Sequence, residues 1–215
     1  KNSKIFFEIK TENDWKHLFS SLKENGIVII NDILPGSEVE EIKKQFSKIE
    51  NENQSDWIDG PKDLSKTSKV KLTWAKDDIN KYKNLLKYSD LITNEVYGSK
   101  VEPSIEFYNH EVKDLPESVI VGENSLHMDR FIPNLKMYYS PYEIPEWSAP
   151  FQYVIGSHKI DRRFVSHWIN SKNFQNLNDE KNFSLEFLKN FNETDILKTS
   201  IKANSLVAAF TNGLH

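Results

Sequence analysis

Residues 125–159 read SLHMDRFIPNLKMYYSPYEIPEWSAPFQYVIGSHK, and the fold turns on whether they are strands that carry a metal site. The stretch opens with His127-Met-Asp129. Alternate side chains of a β-strand share a face, so His127 and Asp129 point the same way and can grip one ion. An imidazole and a carboxylate so placed are two of the three ligands in a 2-His-1-carboxylate triad, the set that holds Fe(II) in non-haem oxygenases. A third ligand must come from elsewhere. Residues 205–215, SLVAAFTNGLH, place His215 after an apolar strand and a glycine turn, which makes it the candidate. The tripeptide alone has a plain alternative, a surface histidine beside a solvated aspartate, and the surrounding segments decide between the two.

Those segments resemble the phytanoyl-CoA dioxygenase family of Fe(II)/2-oxoglutarate oxygenases. The resemblance is carried by His127-Met-Asp129, by 135–139 (LKMYY), by 150–159 (PFQYVIGSHK) and by 203–215 (ANSLVAAFTNGLH), in that order. Residues 23–30 (KENGIVII) add the family's opening pattern of helix end, glycine and apolar strand. The resemblance implies a mainly β fold, a double-stranded β-helix or jelly roll with amino-terminal helices, in one domain over residues 1–215. Short strands flanked by helices, with the ligands on well-separated strands, suit that architecture.

It also implies a metal triad of His127, Asp129 and His215, with Fe(II) as cofactor, 2-oxoglutarate as cosubstrate and O2 as oxidant. The reaction is then hydroxylation of a small molecule with release of succinate and CO2. Three further residues, Lys69, Phe107 and Tyr138, match positions near the cosubstrate in the family, and Lys136, on the same strand face as Tyr138, could supply charge to the same cavity. Each has an ordinary alternative: Lys69 as a solvated lysine on an edge strand, Phe107 as core, Lys136 and Tyr138 as structural residues of their strand. His158 in the Gly-Ser-His turn matches a structural position rather than a ligand. The family's anchoring arginine follows the distal histidine, so a closing strand beyond His215 is expected; Arg130 or Lys69 is the substitute otherwise. The rival function is a ligand-binding jelly roll that has lost its chemistry. Halogenation is disfavoured, because halogenating relatives replace the carboxylate that Asp129 supplies here.

Composition excludes other classes. With 215 residues, 38% hydrophobic and 12% aromatic, the chain can bury a substantial core and is not of disordered composition. A formal net charge of −4 gives no reason to expect nucleic acid or an anionic membrane as partner. There is no cysteine, hence no disulfide and no thiolate metal site, and a reducing, cytoplasmic setting is expected. No apolar run is long enough to span a bilayer.

Along the chain, 11–25 reads as a helix with a Thr11/Asp14 capping box, an inward face of Trp15, Leu18, Phe19 and Leu22, and Gly26 as its stop. Residues 27–30 read as a buried strand. A second helix is expected from Ser37, capped by Glu40, with Val39, Ile42, Phe46 and Ile49 inward. Residues 51–68 read as a loop, 69–74 as a strand, 77–96 as a third helix, and 101–108 and 118–121 as strands. Residues 170–182 read as a loop, 185–191 as a short helix, and 205–210 as the strand that delivers His215. The charges of residues 159–163 are expected on a solvated turn.

Overall fold

The computed structural model describes residues 4–52, 58–59, 65–71, 82–101, 106–112, 127–129, 132–148, 150–159, 162, 164–166, 191 and 193–215, with backbone alone at 49–50, 52, 58–59, 65–71, 106–112 and 193. The chain divides into two compact units: Lys1–Asn31 with Val121–His215, and Asp32–Ile120. Helix and strand are mixed. The three described α-helices, of 14, 17 and 15 residues, are too large a share for a mainly β description. No helix among the described residues is long and apolar enough to cross a membrane.

The first unit is built on β2 (Ile27–Asn31), whose first four residues are wholly buried. Burying an aliphatic side chain of this size contributes about 1.5–3 kcal/mol, so this short run anchors the unit. A four-stranded sheet forms around it in the order β1 (Phe6–Phe7), β2, β9 (Ser205–Phe210), β6 (Leu135–Ser140). β1 lies parallel to β2, whereas β2–β9 and β9–β6 are antiparallel. Ile27 stands opposite Ala209 and Ile29 opposite Val207; across the other ladder Tyr138 faces Val207 and Lys136 faces Ala209. Paired residues share a side of the sheet, so one face carries Ile27, Ile29, Val207, Ala209, Tyr138 and Lys136. A second pair, β7 (Gln152–Val154) with β8 (Ile196–Lys198), brings Tyr153 and Leu197 against that face. Ile201, Ile144 and Phe151 complete this core.

Helix α1 (Glu12–Asn25) packs beside β2 and begins as the sequence predicts. Thr11 caps it, its side chain accepting from the Asp14 backbone N–H while the Asp14 carboxylate accepts from the Thr11 N–H at 2.8 Å. Leu18 and Leu22 are fully buried, and Trp15 stacks on Phe19 at 5.5 Å between ring centroids. Gly26 ends the helix at φ +81°, a conformation that disfavours a side chain. Here a Cβ would also meet His158 Nδ1 at 2.3 Å and Tyr153 Oη at 2.4 Å, so the glycine is required twice over.

In the second unit α2 (Gly36–Glu52) starts one residue before the predicted Ser37. The Pro35 carbonyl, not a Ser37 hydroxyl, accepts from the Glu38 and Val39 N–H groups. Glu40 instead pairs with Lys43 at 2.7 Å, so the expected Ser37/Glu40 cap does not form. Val39 and Ile42 are buried as predicted. The expected loop at 51–68 contains β3 (Ile58–Asp59) and the start of β4 (Ser65–Lys71), which pairs antiparallel with β3 and with β5 (Glu106–Val112). Polar, turn-rich residues are strands here because ladder partners supply their backbone hydrogen bonds, overriding local propensity. β5 thus lies further along the chain than the predicted strand at 101–108. Helix α3 (Lys83–Tyr97) buries Ile92 and Thr93 and ends at Gly98, φ +71°. Residues 72–74 and 77–81 of the predicted strand and third helix, the strand at 118–121, the loop at 170–182 and 185–190 of the short helix lie outside the described residues.

Candidate metal centre

The site begins where β9 ends. Gly213 N–H donates to the Phe210 carbonyl at 2.9 Å, closing a turn. Leu214 N–H then donates to Ser157 Oγ at 2.8 Å, and Leu214 O accepts from the Val154 N–H at 2.9 Å. These bonds clamp the turn onto the Gly-Ser-His segment. The next residue, His215, exchanges backbone hydrogen bonds with His127: His127 N–H to His215 O at 2.8 Å, and His215 N–H to His127 O at 2.9 Å. Asp129 N–H donates to Thr211 O at 2.9 Å, so residues 127–129 lie antiparallel against 211–215.

The period of two then sorts the side chains. Met128 and Leu214 turn into an apolar cluster with Val154 and Phe164, all wholly buried. His127, Asp129 and His215 turn the other way, and one ligand atom from each lies within 4.8 Å of the others. His127 Nε2 is 3.9 Å and His215 Nε2 is 3.7 Å from the same Asp129 oxygen, Oδ1. The imidazole rings are 4.5 Å apart between centroids.

Electrostatics favour ligand-ready forms of two of the three. Burial pushes the His215 pKa down to about 4; the Gly213 carbonyl opposes this, and His127 adds to it. His215 Nδ1–H donates to Gly213 O at 3.0 Å, which leaves the Nε2 lone pair facing Asp129. Burial pushes the Asp129 carboxyl up, but the Lys136 ammonium, the Thr211 side chain and the His215 ring outweigh it and hold the group below its usual value. Asp129 Oδ2 has no solvent contact, and no donor is aligned on it as a regular hydrogen bond. Its near neighbour is Lys136 Nζ at 2.5 Å, an ion pair with poor hydrogen-bond angles.

Two imidazoles, an ionised carboxylate and no thiolate suit a divalent transition metal of the iron, manganese or zinc type. Donors bound to one ion at about 2.0–2.2 Å stand roughly 3–3.5 Å apart. The observed spacings are slightly wider, and the residues present therefore fit such an ion after small side-chain rotations.

Other predicted residues divide into three groups. Lys136 and Tyr138 are brought to the site: Lys136 by its ion pair, Tyr138 through Phe151, whose ring is 5.1 Å from Tyr138 and 5.4 Å from the His215 ring. Lys69 lies on β4 opposite Tyr108, and Phe107 lies on β5 opposite Val70, both in the second unit and both with side chains outside the described residues. Arg130 and Arg163 are also outside them, while Arg162 and Lys159 are exposed. Sequence reasoning missed Phe151, Thr211, Ser157 and Tyr153. Only Ser157 carried a signal, its place in the Gly-Ser-His turn.

His158 is structural, as expected. Its Nε2–H donates to Lys23 O at 3.1 Å, its ring stacks on Phe210 at 11°, and its Nδ1 is buried without a partner. Protonation would put an uncompensated charge there, and burial accordingly lowers the His158 pKa. The folded forms of His158 and His215 both resist protons that the unfolded chain accepts below its ordinary value of 6.5. Their contribution to stability is complete above that pH and is lost as pH falls towards the folded values. Thermal melts of the metal-free protein from about pH 7.5 to pH 5 should show a falling midpoint, less steep in His158→Phe.

No protein-family model matches the chain, and no curated protein matches it either.

Proposed function

We propose that the chain is an Fe(II)- and 2-oxoglutarate-dependent dioxygenase of the phytanoyl-CoA dioxygenase type, hydroxylating a small molecule on a jelly-roll frame. The observation that carries this reading is the convergence of His127 Nε2 and His215 Nε2 on Asp129 Oδ1. The β7–β8 pair against the four-stranded sheet is consistent with a double-layered β frame.

In this reading His127, Asp129 and His215 hold the metal. Bound Fe(II), with 2-oxoglutarate and O2, supplies the oxidising power for attack on a C–H bond, and succinate and CO2 leave as co-products. The protein contributes position. The backbone exchange between His127 and His215 sets the spacing of the two imidazoles, and the Gly213 carbonyl orients the second. Lys136 offers a cation to an acidic cosubstrate, and Tyr138 with Phe151 offers an aromatic wall. Because Asp129 fills the third protein position, the product should be hydroxylated rather than chlorinated.

The test is anaerobic Fe(II) titration of the wild type and Asp129→Ala, followed by succinate assays with 2-oxoglutarate and a panel of small metabolites. Asp129→Ala should bind Fe(II) at least about a hundredfold more weakly, the order of loss expected when one charged ligand of three is removed. Equal affinity in the two proteins would sink the triad. The second reading, a ligand-binding protein without chemistry, is favoured by the Lys136 contact, since a lysine already offsets the Asp129 charge. Tight Fe(II) binding with no succinate formed from any substrate would support it.

A further inference from the structure

Both imidazole nitrogens approach Asp129 through Oδ1, at 3.9 and 3.7 Å, while the other oxygen, Oδ2, is closed to solvent and faced by Lys136 Nζ at 2.5 Å. The lysine stem rises from β6 opposite Ala209, whose small side chain leaves it room, and the side chain is 45% exposed. One side of the ammonium therefore lies on the carboxylate and the other opens to solvent. β9 carries no charged residue, and Lys136 is the sole charged residue of β6. Among the described residues of these strands and of 127–129, Asp129 and Lys136 are thus the fixed charges, and they cancel.

A divalent cation entering beside the two imidazoles would meet no net negative charge from the Asp129–Lys136 pair, and would be repelled by an ammonium a few ångströms away. An anion that chelates the metal removes this obstacle, because its own carboxylate can take the ammonium. We propose that Lys136 is a positioning residue that holds Asp129 in a one-oxygen presentation and makes metal binding depend on an anionic, carboxylate-bearing co-ligand. The two then bind cooperatively, and linkage makes the effect reciprocal: the metal tightens the anion by the factor by which the anion tightens the metal. The inference rests on the metal reading above. It adds a loading order, in which metal without the anion is held weakly.

The experiment is calorimetric titration of Co(II) into the full protein, with and without saturating 2-oxoglutarate, for wild type, Lys136→Met and Lys136→Arg. The Co(II) absorption spectrum provides a second readout that a loss of stability would not mimic. Co(II) alone should bind Lys136→Met about tenfold or more tightly than wild type, as expected when a repelling charge is removed. The enhancement by 2-oxoglutarate should shrink about tenfold in that variant and return in Lys136→Arg. The spectrum of Lys136→Met should also change on loading, because Asp129 is then free to offer both oxygens. If Lys136→Met binds Co(II) as wild type does, with an unchanged enhancement and spectrum, this inference fails while the triad stands. If wild type binds no Co(II) even with saturating 2-oxoglutarate, or then binds it only as well as Asp129→Ala, the metal reading fails and this one with it.

Discussion

Gly213→Ala is expected to cost about 3 kcal/mol or more and to draw His215 away from Asp129, the upper range for overpacking a closed site. A Cβ at this position would stand 2.2 Å from Tyr153 Oη, 2.8 Å from Tyr153 Cζ and 2.9 Å from Ser157 Oγ. Neither neighbour can swing aside. Tyr153 is wholly buried with its hydroxyl donating to Phe210 O at 3.0 Å, and Ser157 is buried with its oxygen accepting from Leu214 N–H. Relief must come from the turn, and the turn carries Leu214 out of its cluster and His215 away from Asp129. Chemical denaturation and Co(II) titration of the same variant should therefore both show a loss. Gly36→Ala is the control: a Cβ there meets nothing within 4 Å, and alanine in a helix should be neutral or slightly stabilising. Wild-type stability and metal affinity in Gly213→Ala would mean that the turn is looser than its contacts imply.

Tyr153→Ala should be comparably severe, about 3–5 kcal/mol, the range for deleting a large aromatic from a core. The ring fills the space between β7 and the face carrying Ile27, Ile29, Val207 and Ala209. Its hydroxyl is wedged against both Gly26 and Gly213, so it ties the end of α1 to the turn that bears His215. Burial pushes that hydroxyl well above its usual pKa, and it stays a neutral donor. Tyr153→Phe keeps the ring and should cost only about 1 kcal/mol, since Phe210 O still accepts from Gly213 N–H. Urea melts of the two variants should separate widely. Similar losses would show that the hydroxyl, not the packing of the ring, holds this corner together.

The convergence of His127, Asp129 and His215 was legible because its signal is local at each end. Alternation along 127–129 sends two ligand types to one side whatever the wider topology, and an apolar run followed by a glycine turn marks the delivery of His215. Helix α1 was equally legible, since Thr11, Asp14 and Gly26 act within one turn of its ends. What failed depended on partners far away in sequence. Residues 58–59 and 65–68 carry turn-forming composition, and only pairing across β3, β4 and β5 makes them strands. The ion pair of Lys136 with Asp129 was not foreseen, because it is set by the register of β6 on β9. Phe151 against His215, and Tyr153 against two glycines, follow from how two sheets meet, which no local pattern encodes. The start of α2 was misjudged because a proline carbonyl did the work that a serine side chain was expected to do.

The sheet order also constrains the protein at birth. β9 lies between β2 and β6, yet it is the last of these strands to be synthesised. Residues 32–204 must leave the ribosome before β2 meets β9, a wait on the order of ten seconds or more at ordinary elongation rates. Throughout that interval the four apolar residues of β2 have a strand edge with no β9 to occupy it. Newborn chains are thus exposed to mispairing with one another, and a chaperone that shields residues 27–30 would act during that interval. The same arithmetic means that the imidazole pair of His127 and His215 assembles only after translation has passed His215.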